Sequence, residues 1–134
     1  MYIYQVHPAQ LPEVWPTVSP MLQKAIDLDT ANATIAQVEW MIRTAKQFLI
    51  VAHNNTEIVG AAVVEFIDYP RERIGHIDFM GGKGVANKEF FGLLTGWIKR
   101  NGATKAQCWA NGSLVRLYER IGMTPTHQVM RITL

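Results

Sequence analysis

Apolar positions change period several times along the chain, and each change marks an element. Tyr2 to His7 is rich in aromatic and β-branched residues and reads as a first strand, stopped by Pro8. Leu11, Val14, Trp15, Val18, Leu22 and Ile26 then recur at three- and four-residue spacing, which predicts one face of a helix. Pro16 and Pro20 fall inside that run. An internal proline removes a donor and crowds the preceding turn, so a break near Ser19 or a kinked helix is expected. Residues 27–33 form a polar connector. Thr34, with Gln37 three residues on, suits a helix start, and the helix it opens buries Ile35, Val38, Met41, Ile42 and Ala45.

The period then shortens to that of strands. Gln47 to Ala52 and Glu57 to Ile67 flank the turn residues His53 to Thr56 and read as a hairpin. After a second turn at residues 68–72, Arg73 to Met80 makes a third antiparallel neighbour. Phe90, Phe91, Leu94, Trp97 and Ile98 stripe a helix from Asn87 to Arg100, and Asn101-Gly102 signals its end. Thr104 to Ala110 reads as a strand, Leu114 to Ile121 as a short helix closed by Gly122, and Gln128 to Leu134 as a last strand. The pattern predicts one α/β domain over residues 1–134, with a mixed, mostly antiparallel sheet of about six or seven strands flanked by about four helices.

Composition narrows the class. The 134 residues suit one domain, and 49% apolar with 18% charged residues excludes a disordered or fibrous chain. A net charge of +2 is too balanced for a nucleic-acid binder, and the basic residues show no run with interleaved aromatics. Cys108 is the single cysteine, which leaves no internal disulfide and no thiolate metal cluster. His7, His53 and His127 are scattered, so no metal site is expected. There is no signal-peptide pattern and no apolar run near the roughly 18 residues of a membrane span. A cytoplasmic protein without a membrane partner is expected.

Candidate chemistry gathers between Arg73 and Met123. Gly81, Gly82, Lys83, Gly84, Val85, Ala86 and Asn87 join a strand to a helix. Such a turn can present several bare N–H groups to one pyrophosphate, aided by the dipole of the helix that follows, with Lys83 adding a point charge. It is neither a Walker loop nor a dinucleotide fingerprint, and read alone it is slightly more in keeping with a plain tight turn.

The segment Asn111 to Met123 changes that balance. With the turn, it resembles the second signature of the GNAT N-acetyltransferase superfamily: an Asn, a small residue three on, an apolar-Tyr pair, then Gly-Phe. Asn111, Leu117-Tyr118 and Gly122 match in type and spacing, while Met123 stands for the Phe and Leu114 for the small residue. In the family's first signature, Gly84 and Ala86 fit the last two places, but Gly81 stands where Arg or Gln is usual. The order of elements also fits, so the chain is similar to a divergent, small GNAT member of the kind found among tailed-phage genes.

The resemblance implies acetyl transfer from acetyl-CoA to an amine by direct attack, with no metal. It implies a coenzyme site from Phe79 and Met80 through Asn87, with Asn111 and Tyr118. A backbone N–H near Phe79 or Met80 would polarise the thioester carbonyl. Tyr118 would protonate the departing sulfur. His76 and Asp78 share one face of the third strand, two residues apart, and are candidates for the base, with Glu65 a third. Structural readings stand beside these. Tyr118 could be a core aromatic, Asn111 a helix cap, His76 a structural histidine and Trp109 a core or crevice residue. Cys108 reads as a buried strand residue rather than a nucleophile. The amine acceptor carries no motif, and a homodimer is among the expectations. The alternative function is a decayed GNAT-fold binding or assembly module, for example a phage accessory protein.

Overall fold

The long first helix carries three prolines at four-residue spacing, Pro12, Pro16 and Pro20, and all three are exposed. The carbonyls that a proline leaves without a donor therefore lie on the solvent side, where water satisfies them, and the helix continues through both internal prolines. In the computed structural model, which describes residues 1–28, 33–83 and 88–134, this helix α1 is unbroken from Leu11 to Leu28. The expected break near Ser19 does not occur. The opposite face, with Leu11, Val18, Leu22 and Ile26, is buried, and that packing holds the helix together.

The remaining elements follow in order. Strand β1 (Tyr2–Gln5) precedes α1, and helix α2 spans Ile35–Arg43. Strands β2 (Phe48–His53), β3 (Ile58–Asp68) and β4 (Arg73–Gly82) come next, then helix α3 (Lys88–Arg100), strand β5 (Lys105–Cys108) and helix α4 (Ser113–Arg120). Thr34 caps α2 as expected, its hydroxyl accepting from the Gln37 N–H at 3.1 Å. Gly102 (φ 91°) ends α3 as predicted, with Ala103 N–H donating to the Ile98 carbonyl and Gly102 N–H to that of Lys99. Gly122 (φ 102°) closes α4 in the same way.

One sheet orders the strands β1-β2-β3-β4-β5, antiparallel except for the β4–β5 pair, which is parallel. The described residues therefore hold five strands, not six or seven. The difference lies at the end of the chain, where residues 124–134 pair with no strand and expose Met130, Ile132 and Leu134. Helices α1 and α2 cover one face of the sheet, where Leu22, Ile42, Leu49, Val63 and Phe79 form a core. Helix α3 covers the other, where Phe90, Leu94 and Ile98 meet Ile50, Val64 and Ile77. No helix among the described residues is long and apolar enough to cross a membrane.

Candidate active site

Strand β4 is the axis of the site, and a change in its register creates it. Val63 pairs with Phe79 and Val64 with Ile77, which leaves Asp78 without a residue opposite it on β3. An extra residue of this kind is a β-bulge, which bends the strand and resets its alternation. Without it, Asp78 and Phe79 would point to opposite faces. With it, His76, Asp78 and Phe79 all border the same cleft on the α1–α2 side, while Ile77 packs under α3. Pairing with β5 also stops here. The last parallel partners are Ile77 and Cys108, yet β4 continues to Gly82. Past Ile77 the β5-facing edge of β4 has no strand beside it among the described residues, so its backbone groups face an opening.

A chain of polar side chains joins three strands and the residue ahead of a fourth at that point. Glu65 on β3 is the register partner of His76 on β4, and Gln107 on β5 is the partner on the other side. Gln107 Nε2 lies 3.1 Å from His76 Nδ1, and His76 Nε2 lies 3.7 Å from Asp78 Oδ1. Gln47, just ahead of β2, donates from Nε2 to Asp78 Oδ2 at 3.1 Å and to Glu65 Oε2 at 3.4 Å. His76 and Gln47 are the two buried polar side chains among the described residues. Trp109 sets its ring edge-on to the His76 imidazole, with centroids 5.4 Å apart.

Two clefts flank this chain and share Asp78 and Phe79. The first, about 150 Å³, is bordered by Glu65, His76, Gln107 and the exposed ring of Trp109. The second, about 160 Å³, runs toward α2 and is bordered by Gln37, Val38, Met41 and Gln47. Cys108 plays no visible part in them. Burial pushes its thiol up to about 11, so it stays protonated at neutral pH and is a poor nucleophile. Its Sγ meets Met123 Sδ at 3.9 Å, which ties β5 to the end of α4.

The other expected site residues are more dispersed. Met80 is half-buried and packs toward α3. Gly81 and Gly82 belong to β4 rather than to the turn, paired with Ala61 and Gly60. A Cβ on Gly81 would run into the Met21 carbonyl, so α1 requires glycine there. The place where Arg or Gln is usual in the first GNAT signature is thus filled by a packing residue. Gly82 takes φ 111° with the β3 backbone close by, which again suits glycine alone. Lys83 is exposed. Gly84, Val85, Ala86 and Asn87 lie outside the described residues. Asn111 is exposed, and the start of α4 is capped by Gly112 without a side-chain bond, so the expected Asn111 cap is reduced to its carbonyl, which accepts from Leu114 N–H. Tyr118 is half-buried on α4 and is not among the residues bordering either cleft.

Gln47 and Gln107 escaped the sequence reading. The available signal was a single amide in each of two short apolar strands, and its meaning depends on which strands become neighbours.

No protein-family model matches the chain, and no curated protein does. Solved structures do match along its whole length. A ribosomal-protein-alanine N-acetyltransferase from Brucella melitensis biovar Abortus 2308 superposes with a TM-score of 0.73 at 16% identity, covering 100% of both chains. An aminoglycoside acetyltransferase, meta-AAC0020, from an uncultured soil metagenomic sample, in complex with sisomicin, gives 0.71 at 10% identity, with 98% of this chain and 93% of that chain covered. A Trypanosoma brucei acetyltransferase gives 0.62 at 19% identity, covering 98% of both. The chain therefore has the fold of the GNAT acetyltransferases.

Proposed function

We propose that the protein is an N-acetyltransferase that moves an acetyl group from acetyl-CoA to an amine by direct attack. The observation that carries this reading is the polar chain Glu65–Gln47–Asp78–His76–Gln107, set where β4 bulges and parts from β5 in an acetyltransferase fold. The uncovered edge of β4 offers donors and acceptors to an amide-bearing chain lying along Phe79 to Gly82, beside the opening. Gly84 to Asn87 would follow as the pyrophosphate cradle. Acetyl-CoA, when bound, supplies an acetyl group activated as a thioester.

The chain's own groups then divide the work. Asp78 and Glu65 receive the amine, and His76 takes its proton at Nε2. For that, Nδ1 must carry the other proton and donate to Gln107, whose amide would present its oxygen instead of its nitrogen. The pair at 3.1 Å accommodates either arrangement by a rotation of the amide. A backbone N–H at Phe79 or Met80 supports the charge that grows on the carbonyl oxygen. The C–S bond breaks as the new C–N bond forms, and Tyr118 returns a proton to sulfur. Asn111 would steady the same end of the coenzyme.

Thermal denaturation with acetyl-CoA tests the reading. At a hundred times its dissociation constant the ligand should add about 2.7 kcal/mol to stability. No shift at millimolar coenzyme would instead favour the binding-module function. Tyr118→Phe should slow release of free thiol at unchanged coenzyme affinity, and turnover equal to the parent would remove Tyr118 from its role.

A further inference from the structure

Resting on the acetyltransferase reading, we infer that the acceptor is an amine with a neutral secondary carboxamide beside it, recognised in the second cleft by Gln47. Asp78 is already engaged, with His76 at 3.7 Å and with the Gln47 amide at 3.1 Å. What the site leaves open is a neutral acceptor and not a charge. Gln47 Nε2 donates to Asp78 Oδ2 and, at 3.4 Å, to Glu65 Oε2. An ionised carboxylate only accepts, so turning the amide over would set oxygen against oxygen at both contacts. The two carboxylates therefore decide which end of Gln47 is which. Its Oε1 atom has no partner among the described residues, although the residue is only 8% exposed and borders the second cleft.

A buried acceptor without a donor is uncommon, and one whose orientation is held from behind selects what can stand before it. An ester or carboxylate oxygen there would meet Oε1 lone pair against lone pair. A hydroxyl would donate but bring lone pairs of its own that need donors. An amide N–H donates and accepts nothing. The carbonyl of the same amide points the other way and needs one donor. Gln37, on the exposed side of α2 at the border of the cleft, carries such a donor.

Shape and surface agree with that chemistry. The second cleft holds about 160 Å³, on the scale of the roughly 150 Å³ cavities that take up a benzene. Ala33, Val38, Met41 and Phe79 give it apolar walls, which suit a short aliphatic group. The two clefts meet at Asp78 and Phe79, so an amine beside His76 in the first can be joined by a short link to a carboxamide in the second. An α-amino acid amide is the smallest molecule with all three parts. That chemistry occurs in free amino-acid amides and in the first residue of a peptide.

Calorimetric titration of the full-length chain provides the test, first without and then with acetyl-CoA, using valine N-methylamide and valine methyl ester. The two differ by one N–H exchanged for an oxygen. The amide should bind at least tenfold more tightly, because a site built around a donor rejects the analogue that lacks it. Gln47→Met, which keeps the length and removes the oxygen, should bring the pair to within about twofold of each other. Should Gln47→Met not fold, the parent alone still decides: equal affinity for amide and ester would mean that Oε1 takes its donor from solvent, and overturns the proposal. Valyl-glycinamide separates the two sources of this chemistry. Binding tighter than that of the N-methylamide assigns the site to a peptide, and weaker binding assigns it to a free amino-acid amide. The two readings fail separately. Thiol release at the same kcat/KM with amide and ester removes the acceptor assignment alone. A tenfold binding preference for the amide without any thiol release from acetyl-CoA removes the acetyltransferase and keeps the carboxamide site.

Discussion

Under α3 the sheet buries Ile50, Ala52, Ala62, Val64 and Ile77 against Phe90, Leu94, Trp97 and Ile98. Under α1 and α2 the same strands bury Leu49, Val51, Ala61 and Val63, but this side also holds Gln47 and His76, the two buried polar side chains among the described residues. The first face is apolar along its length, and the one register irregularity of the β2–β3 pair lies at its Ala52/His53 end, away from the site. The second changes character at Asp78, where β4 gains a residue. One face thus contributes stability and little else. The other accepts an unmatched buried acceptor, a cost in stability that native proteins tolerate where a ligand is to be received.

Three experiments sharpen this contrast. The largest effect is expected from Phe90→Ala, which empties the centre of the α3 side. A buried aromatic of this size should cost about 3–5 kcal/mol in urea denaturation, while acetyl-CoA binding by the folded fraction is unchanged. A loss of that binding would mean that the two faces are coupled. Gly81→Ala should follow, at about 2 kcal/mol or more, because its new methyl meets backbone of α1 that cannot step aside. A neutral result would show that α1 shifts freely over β4.

The smallest effect is one of pH. The buried Cys108 thiol titrates near 11 in the folded protein, above its ordinary value of 9.0. The unfolded chain therefore loses this proton first. The stability it confers is complete below about pH 9 and is lost as pH rises toward 11. Cys108→Ala should flatten the fall in stability across that window relative to the parent. Other groups titrate there in both proteins and cancel in the comparison. Identical slopes would place the thiol in contact with water.

The architecture was legible in the sequence wherever one face of an element is buried over its whole length. The stripe of α3, the Thr34 cap, the two strands of the hairpin and the glycine ends of α3 and α4 each rest on local periodicity or on one residue's conformational freedom. The break that the prolines of α1 suggested does not occur, because their cost depends on which side of the helix faces water. Residues 128–134 misled because an alternating pattern states a preference for pairing and does not supply a partner.

What the amino-acid order determined by itself is therefore every element but the last strand, the α/β class, and the presence of His76 and Asp78 on one side of a strand. The tertiary structure alone decided that Asp78 would sit in a bulge, that Gln47 from the start of β2 and Gln107 from β5 would arrive to hold the site, and that Gly81 would serve helix packing instead of a ligand. The reason is one of range. Period and capping act within a few residues, whereas Gln47 and Asp78, or His76 and Gln107, are about thirty positions apart and become neighbours only through strand register.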